Sequence, residues 1–218
     1  MAEELGSRTK VLVVEDHAAL GEALSFAFSF EADIEVVGLA TTVAAAIEMA
    51  AATRPDVVLM DVNLPDGNGI DATRQVLDVH PSASVVVLTA HADPVFALRA
   101  AEAGASGFVP KDVRMAKIVG AVRAVQAGEV AVDPTVLRSL LAQAAADSDG
   151  AGHDPVLPTG PRAVLDLFAQ GAGCQEIAGK LGLESSEVNA VVAGLGARSA
   201  LEALVLAARR GLFRPGPR

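Results

Sequence analysis

The sequence predicts an α/β protein, a doubly wound parallel sheet followed by a small all-α domain. Between Lys10 and Gln126, short β-branched runs alternate with alanine-rich stretches of helical length; after Pro161 only short helical patterns closed by glycines remain. Charge divides at a similar place. Of the formal net charge of −10, residues 1–150 carry −11 and residues 151–218 carry +1. Two units with different partners are expected, because phosphate contacts supply most non-specific affinity for nucleic acid and the first unit would repel it.

The elements follow in order. Strands are expected at KVLVV, IEVVGLA, DVVLMD, SVVVLTA and SGFVP. The run Val85–Leu88 is apolar without a break, as in a strand buried on both faces. Val95–Ala103 and Val113–Ala127 have helical length. Five strands with right-handed crossovers leave a flavodoxin-like (βα)5 order as the economical topology. A further helix is expected from Asp133-Pro134, a cap and a first-turn proline, to about Ala146. The Asp-, Gly- and Pro-rich stretch 147–161 reads as a linker. Behind it lie helical patterns at Arg162–Gln170, Gln175–Leu181, Ser186–Leu195 and Ala200–Arg210, the first three ending at Gly171, Gly182 and Gly196. A helix-turn-helix within them is the natural reading.

Composition narrows the setting. The chain is 51% hydrophobic with one cysteine, so disorder and an internal disulfide are excluded. The start MAEELGSRTK lacks an apolar signal region, and no apolar run reaches the ~18 residues of a membrane span. A cytoplasmic protein without membrane association is expected.

In a doubly wound sheet, ligands sit beyond the carboxyl ends of the strands. Those ends carry Glu15 and Asp16, Asp61, Thr89 and Lys111. Adjacent carboxylates repel one another unless a cation neutralises them, and Mg2+ suits a site of few carboxylates with several waters. Asp16, Asp61 and the Asn63 carbonyl are the expected ligands, with Glu15 in an outer or water-mediated position. Asp61 is also the expected phosphoacceptor, supported by the Lys111 ammonium and the Thr89 hydroxyl. His17 is expected to cap a helix or line the pocket. Cys174 reads as an inert thiol.

The segments VVEDH (13–17), LMDVNLPDGNGID (59–71), VVVLTA (85–90) and GFVPKD (107–112) resemble the receiver domain of bacterial response regulators. The resemblance implies that a sensor histidine kinase phosphorylates Asp61, that Thr89 moves toward the phosphoryl group, and that Phe108 changes rotamer as a switch. Glycines of the loop 64–69 are expected to provide positive φ beside the site. A haloacid-dehalogenase-like phosphatase also uses a strand-end aspartate, but its DxD motif would need an aspartate where Asn63 stands.

Residues 157–218 resemble the LuxR-type helix-turn-helix of the NarL/FixJ response regulators, with departures. The domains expected are a receiver over 1–130, a linker helix and flexible linker over 131–156, and an atypical effector over 157–218. In the family, the helix after the Gly-Leu turn enters the major groove. Here it starts near Ser185, a potential cap, and Asn189 and Val191 stand where lysine and histidine are usual. About one turn is missing before Leu195, yet Val188, Val191, Val192 and Leu195 keep one apolar face. Lys180, Ser186, Asn189 and Arg198 are the candidate DNA contacts. The resemblance implies a transcription regulator that dimerises with itself or with another regulator; the alternative is an effector that acts through protein contacts, with Val191 at the interface.

Overall fold

The computed structural model describes residues 8–90, 93–147 and 159–212. Its main sheet joins six parallel strands in the order β2-β1-β3-β6-β7-β8: β1 (Thr9–Val14), β2 (Ile34–Ala40), β3 (Val57–Asp61), β6 (Ser84–Thr89), β7 (Gly107–Pro110) and β8 (Ala131–Val132). A small antiparallel hairpin, β4 (Asn63–Leu64) and β5 (Gly67–Asn68), follows β3. The first five strands have the flavodoxin-like order that their apolar runs predict. The sixth is a correction: residues 131–132, expected to open the linker, pair with β7 instead.

The strands are apolar on both sides because both sides are covered. Val11, Val13, Leu59, Val86 and Leu88 pack under α1 (Ala18–Phe28) and α5 (Met115–Gln126). Leu12, Val14, Val58, Met60, Val85 and Val87 face α2 (Val43–Thr53), α3 (Gly69–Val79) and α4 (Pro94–Glu102). Side-chain oxygens fix several helix starts: Thr42, Asn68 and Asp93 accept backbone N–H bonds at the heads of α2, α3 and α4.

Asp133 caps α6 (Pro134–Ala146), with proline in its first turn, as the sequence predicts. The C-terminal helices are α7 (Thr159–Ala169), α8 (Cys174–Leu181), α9 (Ser185–Gly194) and α10 (Ala200–Arg209). Helix α7 takes in residues 159–161, which the composition assigns to a linker; most of that linker lies outside the described residues. Gly171, Gly182 and Gly196 do close helices with positive φ. Ser185 is not a cap: Glu184 holds that position, and Glu184 and Glu187 form a reciprocal capping box.

The two halves share a core. Leu137, Leu140 and Leu141 of α6, Phe168 of α7 and Leu201, Leu204 and Val205 of α10 belong to the same buried cluster as α4 and the sheet. Each fully buried leucine of this kind contributes about 2 kcal/mol. Ser199 Oγ donates to the Ala105 carbonyl (2.8 Å), and Arg198 donates to Asp78 (2.9 Å) and to the Arg74 carbonyl. Arg209 pairs with Glu102. Gly104, at φ +95°, is needed at this junction, since a Cβ there would stand 2.7 Å from Leu77 and 3.3 Å from Arg198.

Candidate functional site

Parallel registry brings the strand ends into one plane. Asp61 pairs with Leu88 and Thr89 with Pro110, so Asp61, Thr89 and Lys111 emerge side by side. The Lys111 N–H donates to the Thr89 carbonyl (2.7 Å), and the Glu15 N–H donates to Ala40, anchoring the turn after β1.

Glu15 and Asp61 are 0% and 2% exposed, and buried carboxylates require compensation. Lys111 provides it: Nζ stands 2.7 Å from Glu15 Oε2 and 2.7 Å from Asp61 Oδ2. Burial pulls the Lys111 ammonium down, but its hydrogen bonds and charge interactions with Asp61 and Glu15 outweigh this and raise its pKa above the usual lysine value. The second oxygen of Asp61 accepts the Asn63 N–H at 3.2 Å. Asp16 completes the carboxylate set at the solvent side, and His17 Nδ1 lies 2.9 Å from Asp16 and 3.3 Å from Glu15. One ligand atom from each of Glu15, Asp16, His17 and Asp61 falls within 4.8 Å of the others. His17 thus lines the pocket, and it heads α1 without a side-chain capping bond. Three carboxylates facing one ammonium leave an excess of negative charge and oxygen donors, a set that fits a hard divalent cation.

The loop glycines act differently from the expectation. Neither Gly67 nor Gly69 has positive φ. Gly69 is needed for close approach, because a Cβ there would lie 1.7 Å from the Asp61 carbonyl, while its N–H donates to Val62. Asp66, unremarked in the sequence, accepts bonds from Val43 N (2.7 Å) and Ala44 N (3.1 Å), which tie the hairpin turn to the head of α2 and lower its pKa. An Asp-Gly turn near the site was the one signal for it.

Phe108 is buried beside a cavity of about 290 Å3 bounded by Ala121, Ala124, Ala131 and Asp133. The four candidate DNA contacts do not converge. Lys180 pairs with Glu176 at 2.5 Å, Ser186 is exposed on α9, and Asn189 accepts a weak bond from Cys174. Asn189 and Arg198 line a cavity of about 160 Å3 with Ser106, Glu129 and Cys174, at the junction of the two halves. Val191 is half-buried, packed against the core with part of its side chain exposed. Burial pushes the Cys174 thiol up, in keeping with an unreactive side chain.

Comparison with known proteins accounts for this arrangement. The response regulator receiver domain family matches residues 11–123. The chain is 33% identical to the DNA-binding transcriptional activator DevR/DosR of Mycobacterium tuberculosis, over 88% of this chain and 89% of that one. It belongs to the response-regulator family. This response regulator is also 31% identical to response regulator GacA of Pseudomonas syringae, over 93% of its own length and 97% of its relative's. A LuxR-family two-component response regulator from Aurantimonas superposes with a TM-score of 0.59 at 33% identity, covering 63% of this chain and 98% of that one. The NarL/FixJ resemblance therefore holds, and the protein is a two-component response regulator controlling transcription rather than a phosphatase. Among the described residues, no helix is long and apolar enough to cross a membrane.

Proposed function

We propose that Asp61 is the phosphoacceptor of this response regulator, that a sensor histidine kinase is its donor, and that phosphorylation controls the output of residues 157–218. The observation supporting this reading is the buried pairing of Asp61 and Glu15 with one lysine at 2.7 Å. An Asp61 carboxylate oxygen attacks phosphorus; the P–O bond of an acyl phosphate forms as the donor's P–N bond breaks, and the imidazole departs with the electron pair. Lys111, held protonated by its neighbours, shifts its ammonium from the carboxylates to the new phosphoryl oxygens. Thr89 offers its hydroxyl, and Phe108 responds as the expected switch. Asp16, Asp61 and the Asn63 carbonyl, with Glu15 outside them, would hold Mg2+, which would supply positive charge at the phosphoryl oxygens.

The domain division follows the same reading: a receiver over 1–130 whose sheet residues 131–132 extend, a connecting helix and linker up to 156, and an effector over 157–218. Cytoplasmic placement follows from a cytosolic phosphodonor and target. By analogy with DevR/DosR, whose name records DNA binding, the effector's target is DNA, and a dimer is the form expected to reach it. Incubation with Mg2+ and acetyl phosphate should label the wild type and leave Asp61→Asn unlabelled; equal labelling of both would refute the assignment.

A second reading has its own observation. Of the candidate DNA contacts, Lys180 is paired with Glu176 and Arg198 with Asp78, and α9 carries Glu187 but no base. Few phosphate anchors remain, which favours an effector acting through protein contacts. A mobility-shift assay at low salt on genomic fragments separates the two, since even non-specific binding appears there if phosphate contacts exist.

A further inference from the structure

His17 has no part in the phosphoryl chemistry proposed above, yet it belongs to the pocket. Its side chain is 77% exposed, and hydrogen bonding with Asp16 Oδ1 (2.9 Å) and Glu15 Oε1 (3.3 Å) keeps the Nδ1 edge of the ring turned towards the carboxylates. Glu15 is fully engaged: one oxygen accepts the His17 N–H (3.2 Å) and the other faces the Lys111 ammonium. His17 carries no such commitment, since its side chain makes no capping bond to α1. The Leu20 and Gly21 N–H groups donate to its carbonyl (2.9 and 3.0 Å), so the head of α1 fixes the backbone that presents the ring. Three carboxylates against one ammonium leave two negative charges for a divalent ion to cancel, and a neutral ring adds a ligand without changing that balance.

We propose that His17 Nδ1 is a direct ligand of the cation in this pocket, beside Asp16 and Asp61, so that a first-row transition ion is held more tightly than Mg2+ by one added nitrogen. The inference deepens the cation site named above and rests on it, not on phosphorylation or DNA binding. Opposite ligands of an ion at ~2.1 Å stand about 4.2 Å apart, so four ligand atoms within 4.8 Å of one another close on it with shifts below about 1 Å. As a ligand, Nδ1 offers its lone pair and the ring proton resides on Nε2; the side chain is exposed, so water carries the exchange. The choice of ion follows from the donor. Mg2+ takes oxygens and keeps its waters, whereas imidazole suits nickel, zinc, copper and iron. Oxygens alone would serve Mg2+ here, and the ring adds affinity only for an ion that seeks nitrogen.

Calorimetric titration of the untagged full chain with nickel chloride and with magnesium chloride tests this, with the titration of Asp61→Asn subtracted to isolate the pocket. His17→Ala should raise the dissociation constant for Ni2+ at least about tenfold and that for Mg2+ less than about twofold. His17→Gln, which keeps a polar side chain but offers no nitrogen lone pair, should lose Ni2+ affinity in the same way. The substituted side chain is exposed, and circular dichroism checks that the fold survives. Equal weakening of both ions would mean that the ring only orients the acidic pair, and unchanged affinities would mean that it does not ligate; either result overturns the proposal while leaving the cation site intact. A wild type that binds both ions no better than Asp61→Asn would overturn the proposal together with the Mg2+ assignment.

Discussion

At the scale of single residues, the acidic pocket depends on side chains and on the absence of one. Asp61, Glu15 and Lys111 were legible as strand-end residues because strand ends in this fold converge, and the 2.7 Å contacts bear out their convergence. Gly69 was legible only as a flexible residue; what demands glycine is the Asp61 carbonyl, a tertiary neighbour that no local pattern encodes. Gly69→Ala should therefore destabilise the protein by roughly 1–3 kcal/mol, read as a lowered urea midpoint, and should slow labelling of Asp61 by displacing its backbone. Arg123 illustrates the same limit. It bonds Asp33 through two nitrogens (2.8 and 2.6 Å) and Glu31 through one (2.6 Å), 90 and 92 positions away in the sequence. The Arg123 hydrogen bond holds the Asp33 carboxyl below its usual pKa. Its stabilising effect is thus complete above the ordinary aspartate range near pH 4 and is lost as pH falls through the depressed folded value. The stability gap between wild type and Arg123→Ala, measured by urea unfolding, should narrow steadily on acidification below about pH 4.

At the scale of elements, apolar runs and caps were the reliable signals. The strands were predictable because burial on both faces leaves no room for polar residues, and α6 began where Asp133-Pro134 indicates. The short strand β8 could not be read, since two residues carry no periodicity and their pairing depends on β7. At the head of α9, serine propensity points to Ser185, and the structure differs. Glu184 wins because its carboxylate and that of Glu187 satisfy two backbone donors reciprocally, whereas Ser185 already lies within the helix. Glu187→Ala should cost about 0.5–1 kcal/mol, seen as a lower midpoint of thermal unfolding; Ser185→Ala should change it much less. The apolar face of α9 survives the missing turn, with Val188 fully buried and Leu195 nearly so, so the shortened helix is a packed element and not a frayed remnant.

At the scale of the whole molecule, charge and composition divide the sequence into two halves of different character, and neither carries any signal that the halves touch. Contact arises from residues far apart in sequence: Ser199 against Ala105, Arg198 against Asp78, and α10 against both α4 and α6. Because the buried cluster runs through both halves, urea should unfold the chain in one transition by circular dichroism. Leu204→Ala, at a fully buried position on α10, should lower that single midpoint by the equivalent of about 2–5 kcal/mol instead of melting the C-terminal helices alone. Helix α4 is the next helix after Thr89 and touches α6 and α10, so any movement of it upon phosphorylation must be transmitted to those helices or resisted by them. The shared core has a consequence for protein engineering as well. Signalling chimaeras commonly assume that an input segment can be cut at its last strand and fused to a foreign output. Here such a cut would strip α4 of its cover and expose a greasy seam, so a usable graft must carry α6 and a substitute for α10 along with the sheet.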